Sequence, residues 1–367
     1  MKDPMHPPMN RRKFLTTVGA AASALPVGAF LGRSSAAASK PKIKIGQIGT
    51  GHAHANGVFR SLREVIDDYE IVGVVENDPK LREKMADVYS GIPSLTEEQL
   101  LNTPGLQAVV IETEVHDLLP TAKRCIEAGM HIHLDKPPGE SYSDYKSMMD
   151  DATQRKLTVQ MGYIYRYRAP FQFCYEAVRK GWFGDIFEVH SVMSKKVGSA
   201  SRKKLAQFAG GSMFEIGCHV IDATIKVLGR PHKVTPYLRQ THPDRDSLVD
   251  NQLVVLEYPN AIASIRSALV EYQGQHRRQF TVCGEHGTFD LRPSGGTQFR
   301  LALERPQGKY ETGYQDVTLR PGPRGFITAF RNLAALIREE KENDYPPEHD
   351  LAVHEATLLA SGYSISP

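Results

Sequence analysis

Residues 42–48 (KIKIGQI) alternate between apolar and polar positions and then turn apolar, the pattern of a strand entering a buried sheet. Similar β-branched or apolar runs return at 70–76 (EIVGVVE), 106–111 (LQAVVI) and 130–134, with a shorter one at 158–162. Between them, apolar residues recur at helical spacing over 58–67, 79–89, 118–128 and 142–156, and Gly129 closes the third of these helices. Strands that alternate with helices predict a parallel sheet with helices on both faces.

The pattern changes after about residue 162. A helix is predicted over 171–180, a long alternating segment over 185–196 and helical periodicity over 213–228. Strands follow at 233–241, 251–258, 261–270, 279–283, 288–291 and 299–304, separated by turn residues such as Pro259-Asn260. Consecutive strands with short turns imply a largely antiparallel sheet. Helices at 326–342 and 354–361 end the chain. The fold class is therefore α/β plus α+β: a first domain over 41–162 and a second domain over 163–367.

The first 40 residues stand apart. Asn10-Arg11-Arg12-Lys13-Phe14-Leu15 is followed by a weakly apolar stretch at 16–31 and by Ala36-Ala37-Ala38. Basic, apolar and small-residue regions in that order read as an export signal, and the paired arginines favour the twin-arginine route. The expectation is a periplasmic protein, exported already folded by the twin-arginine machinery, with its cofactor loaded beforehand. Composition adds exclusions. Hydrophobic residues make up 41%, charged residues 24%, and the net charge is only +3. No concentrated basic face is evident for nucleic acid, and no apolar run reaches the roughly 20 residues of a membrane anchor. The four cysteines show neither disulfide-framework nor zinc spacing.

Chemistry concentrates after the predicted strands. Gly46-Gln47-Ile48-Gly49-Thr50-Gly51-His52-Ala53-His54 links the first strand to the first helix. Glycines there allow a tight turn and close approach of a pyrophosphate to a helix N-terminus. His54 occupies the place of the third small residue. Glu76 ends the second strand, where a carboxylate binds both ribose hydroxyls and repels a 2′-phosphate, which favours NAD over NADP. Asp135-Lys136-Pro137 follows the strand at 130–134, at the ligand side of a parallel sheet. Glu215, His219 and Asp222 share one face of the helix predicted at 213–228, with Asp222 placed to orient the His219 imidazole. Taken without the first domain, this last set reads better as a stabilising helix pair.

The glycine loop, Asp135-Lys136-Pro137 and Glu215-x-x-x-His219-x-x-Asp222 together resemble the glucose–fructose oxidoreductase / inositol dehydrogenase (Gfo/Idh/MocA) family. Gly162-Tyr163-Ile164-Tyr165-Arg166-Tyr167 and Gly181-Trp182-Phe183-Gly184-Asp185-Ile186 are similar to that family's entry into its second domain. The resemblance implies a Rossmann domain and an open, mostly antiparallel second sheet. It implies that Lys136, Glu215 and His219 are catalytic, with His219 as the base that takes a hydroxyl proton. Gly46, Gly49, Thr50, Gly51, His52, Glu76, Thr113, Asp135 and Lys136 would bind the cofactor, and Tyr163, Arg166, Tyr167, His219 and Asp222 the substrate. Asp135 and Glu215 replace the family's usual Glu and Asp. No metal is predicted. The function implied is NAD(P)-dependent hydride transfer at a secondary alcohol of a sugar, sugar derivative or cyclitol, with tightly held NAD and a homodimer or homotetramer. The alternative is an NAD-dependent glycoside hydrolase or lyase that works through a transient keto-sugar.

Overall fold

The strand β1 (Ile43–Ile48) sits at the centre of a parallel sheet, between β2 (Tyr69–Val75) and β3 (Leu106–Ile111). β4 (His131–Leu134) and β5 (Val159–Met161) extend it, giving the order β2-β1-β3-β4-β5. This computed structural model describes residues 40–84 and 87–365, so the segment read as an export signal lies outside it. The buried faces of these strands explain their near-continuous apolar sequences: Ile45, Val109, Val110 and Ile132 are fully enclosed.

The helices α1 (Ala55–Arg63), α2 (Pro79–Lys84), α3 (Glu97–Leu101), α4 (Val115–Glu127) and α5 (Tyr142–Gln154) connect the strands. Periodicity did not reveal α3, which is only five residues long. Its signal is local instead: Thr96 accepts from the Gln99 N–H while the Gln99 side chain accepts from the Thr96 N–H, a complete capping box.

The second sheet is reached through α6 (Ala169–Arg179). It contains β6 (Ile186–Ser194), β7 (Lys233–Arg239), β8 (Asn251–Glu257), β9 (Ile262–Ala268), β10 (Gln279–Gly284), β11 (Gly287–Leu291), β12 (Gln298–Leu303) and β13 (Gly313–Thr318), in the order β13-β12-β11-β10-β6-β9-β8-β7. All neighbours are antiparallel except β6 and β9. That parallel pair arises because the chain leaves β6 through α7 (Ser199–Leu205), a π-helical turn (Met213–Gly217) and α8 (Cys218–Leu228) before it returns. The unpredicted strand β13 buries only Val317, so it lacks a clear alternation. Register puts Tyr237, Leu253, Val255 and Ile262 on one outer face, away from the buried Val254, Leu256, Ala263 and Ile265.

The C-terminal helices depart most from the sequence reading. α9 (Ile327–Ile337) crosses back onto the first domain, where Phe330, Leu333 and Ala334 share a core with Val58, Phe59, Leu62 and Tyr69. The Tyr69 hydroxyl donates to the Phe330 carbonyl at 2.6 Å. Residues 163–367 therefore do not form one separate body. α10 (Pro347–Ala360) starts well before the predicted 354, with proline in its first turn and Glu348 and Asp350 near its positive end.

Candidate active site

Gly49 turns the chain out of β1 with φ +84°, and a Cβ there would lie 2.6 Å from the Thr113 backbone nitrogen. Only glycine fits that turn without displacing the start of the β3–α4 connection. The Glu76 carboxylate accepts from the Thr50 N–H at 2.8 Å and from its hydroxyl at 2.5 Å, and from the Asp78 N–H at 2.9 Å. Among the described residues, the N–H groups of Gly51 and Ala53, just before α1, have no acceptor. Unpaired amides at a helix start are suited to a pyrophosphate. A cavity of about 410 Å³ beside them is lined by Gly49, Gly51, Glu76, Asp78, Glu97, Thr113, Glu114 and Arg124, among others. These features fit a dinucleotide: a glycine turn, free amides and a carboxylate at the strand end. Gly46 lies within β1, packed against Leu100, and takes no part in this lining.

The end of β4 brings in the next group. Asp135 is fully buried, and its Oδ2 lies 2.5 Å from His52 Nδ1 and 2.9 Å from His54 Nδ1. Burial works against its charge, but the two imidazoles hold its carboxyl well below the usual carboxylate range. The sequence reading missed Glu112. It follows the apolar run of β3 directly, and the first polar residue beyond such a strand faces the ligand crevice. Glu112 is fully buried, and neither of its carboxyl oxygens has a hydrogen-bond partner. Burial and the nearby Asp135 carboxylate push its carboxyl well above its ordinary value.

Lys136 reaches from β4 to the π-helical turn. Its Nζ donates to the Glu215 carbonyl at 2.9 Å and lies 3.9 Å from Glu215 Oε2. Burial favours the neutral amine, but Glu215 and the other acidic groups around it outweigh this and raise its pKa. Lys195, from β6, stands 3.8 Å from the other Glu215 oxygen and was not anticipated. Burial tends to raise the Glu215 carboxyl, yet Lys136 and Lys195 hold it below its ordinary value. His219 packs beside the Tyr163 and Tyr165 rings, and the Ile164 N–H donates to its Nδ1 at 3.4 Å. Burial first, then the Lys136 ammonium, hold the imidazolium pKa well below its usual value, so the ring is neutral near pH 7.

Two predicted contacts come out differently. The helix predicted over 213–228 is present, but its first turn is π-helical: Glu215 lies in that turn and His219 in α8, which continues it directly, so regular i,i+4 geometry does not relate them. Asp222 does not orient His219. Its Oδ1 accepts from Arg166 at 2.7 Å and faces His349 Nε2 at 3.0 Å, and Arg166 also binds Asp350. The fully buried Arg166 guanidinium draws in both carboxylates, because an unpaired charge there would be costly. This network joins the Tyr163–Tyr167 segment to α8 and α10. Tyr163 and Tyr167 line a cavity of about 360 Å³ with Arg168 and Phe326, and it does not include Lys136, Glu215 or His219.

Comparison with known proteins agrees with this geometry. The model of the oxidoreductase family with an NAD-binding Rossmann fold matches residues 43–163, and the GFO/IDH/MocA C-terminal domain matches 171–290. The chain thus belongs to the Gfo/Idh/MocA family of oxidoreductases, with that family's NAD-binding Rossmann fold. It is 26% identical to an uncharacterised oxidoreductase of Escherichia coli, over 56% of this chain and 59% of that protein. Likeness to the scyllo-inositol 2-dehydrogenase (NADP(+)) of Bacillus subtilis is 22%, over 59% of this chain and 60% of that one. For the D-glucoside 3-dehydrogenase of Escherichia coli it is 25%, over 54% and 57%. The matches therefore span under two thirds of these relatives' length. An oxidoreductase from Agrobacterium radiobacter, solved with NAD+, L-tartaric acid and magnesium, shares the fold with a TM-score of 0.74 and 16% identity, covering 88% of this chain and 97% of that one.

Proposed function

We propose that this chain transfers hydride at a secondary alcohol, or the matching ketone, of a sugar or cyclitol, with NAD as its tightly held cofactor. The observation that carries this reading is the meeting of Lys136, Glu215 and His219, from β4, the π-helical turn and α8, next to the glycine loop. Nicotinamide supplies the hydride acceptor or donor. The protein's own groups handle the oxygen. The Lys136 ammonium uses one N–H on the Glu215 carbonyl and has two left for a substrate oxygen. The Ile164 N–H can only donate, so His219 Nδ1 accepts and the resting neutral ring carries its proton on Nε2. In that tautomer Nε2–H donates to an oxygen with developing negative charge, as Lys136 does. For His219 to take a hydroxyl proton at Nε2, the ring must first give up its Ile164 contact, which at 3.4 Å is already long. Glu215 keeps Lys136 protonated and in place.

The cavity walls support a preference for NAD. Glu76, Asp78, Glu97, Glu114 and Asp117 surround the ribose end, and Arg124 is engaged by Glu97 at 2.6 Å. Among the described residues that line the cavity, Arg124 is the one cation, and Glu97 already engages it. The exposed Tyr237 and Ile262 on the outer sheet face support pairing of two copies, and the paired arginines at 11 and 12 support export to the periplasm. Outside the cytoplasm no free NAD pool exists, so the cofactor has to be carried and regenerated in place.

The test is direct. Denatured protein should release NAD(H), and a panel of sugars and cyclitols should change the reduced-nicotinamide absorbance. No released nucleotide and no binding of added NAD or NADP would overturn the reading. Aglycone release from aryl glycosides without net NADH would turn it to the hydrolase. Cell fractionation of the full chain, and light scattering of the purified protein, test export and pairing.

A further inference from the structure

The cluster of His52, His54, Asp135 and Glu112 is not needed for hydride transfer as described, yet it is the most unusual arrangement in the first domain. We propose that these four side chains hold one divalent ion of the zinc class where the glycine loop meets the ends of β3 and β4. His52 Nδ1 is 2.5 Å from Asp135 Oδ2 and 3.8 Å from Glu112 Oε2, and His54 Nδ1 is 2.9 Å from the same Asp135 oxygen. Tetrahedral zinc, with bonds of about 2.0–2.1 Å, sets its ligand atoms roughly 3.3 Å apart. The ligand atoms of His52, His54 and Asp135 all lie within 4.8 Å of one another, and Glu112 stands next to them, 3.8 Å from His52.

Glu112 is the least satisfied member of the cluster. One Asp135 oxygen can accept from two imidazoles. That leaves Glu112, fully buried beside a second carboxylate, with both oxygens unpartnered. His52 Nδ1 also faces the His54 N–H at 3.3 Å, a group that can only donate. A cation among them gives the buried Glu112 oxygens a partner and balances the carboxylates. Two imidazole nitrogens and two carboxylate oxygens suit zinc or a similar transition ion, whereas magnesium and calcium prefer all-oxygen shells.

Four protein ligands close a tetrahedral shell, so the ion ties structure rather than activating water. It fixes the turn into α1 against Asp135, and Lys136 is the next residue. The site is independent of which substrate is bound.

The experiment uses the full chain, chelator-stripped and then titrated with Co(II) alone, with zinc content measured on the protein as isolated. Expected are about one zinc per chain and the visible ligand-field bands of four-coordinate cobalt. H54Q removes the outermost ligand and E112Q the deepest, and each should weaken Co(II) binding by about tenfold or more. H116A, on an exposed histidine paired with Asp117, should not. Circular dichroism confirms that each variant is folded, and H54Q serves if E112Q is not. Folded wild type without four-coordinate bands, or bands that persist unweakened in H54Q, would overturn the site. NAD binding measured on the same samples separates the two conclusions: cobalt bands without NAD binding leave the metal site standing and sink the cofactor reading.

Discussion

At the scale of single residues, the chain hides its chemistry in groups whose ordinary behaviour is altered by burial. His219 was legible as a candidate, but its neutral state and its Nε2–H tautomer depend on Ile164 and Lys136, which come from other elements. H219A should lower kcat by about 10²–10⁴-fold while leaving NAD affinity within a few-fold, measured by turnover and cofactor fluorescence. Unchanged turnover would remove His219 from the mechanism. A second histidine controls stability. His354 is enclosed beside Tyr142 and Tyr145, and burial lowers its pKa to about 3. In the unfolded chain imidazole titrates near 6.5. Between these values the unfolded state takes up a proton that the folded state refuses. Stability is therefore full above pH 6.5 and falls as the pH drops toward 3. Denaturant titration should show about 2 kcal/mol lost from this group between pH 7 and pH 5, and H354L should flatten that part of the slope.

At the scale of elements, the turn from β1 into α1 decides cofactor binding. Gly49 holds a left-handed φ against Thr113, so G49A adds both backbone strain and a clash. NAD affinity should fall by about tenfold or more, with the melting temperature lowered as well. Glu76 acts in the same turn through Thr50. E76A should narrow the NAD-over-NADP preference, read as the ratio of the two kcat/KM values, and an unchanged ratio would show that the other acidic walls set it. The π-helical turn is the element that periodicity could not show. An extra residue in one turn does not alter the spacing of apolar positions enough to be seen, yet it sets where Glu215 points relative to α8.

At the scale of the whole molecule, α9 carries the end of the chain from the second sheet back onto the core of the first domain. Phe330 is fully buried and lies 5.1 Å from the His133 ring and 6.1 Å from the Tyr69 ring. F330A should cost about 3–5 kcal/mol in global stability and should show one cooperative transition rather than loss of the second domain alone. Two separate transitions in the wild type would mean that this crossing contributes little.

The sequence by itself determined the Rossmann strands, the glycine turn, the acidic end of β2 and the candidacy of Lys136, Glu215 and His219. Each of these is announced by a local rule: alternation, glycine spacing, or a polar residue just beyond a buried strand. Only the tertiary structure decided that Asp222 serves Arg166, that Glu112 and Lys195 complete the charged cluster, and that α9 returns to the first domain. Those outcomes depend on which distant groups share a buried space. A buried charge takes the partner that packing brings to it, and no spacing along the chain records that choice.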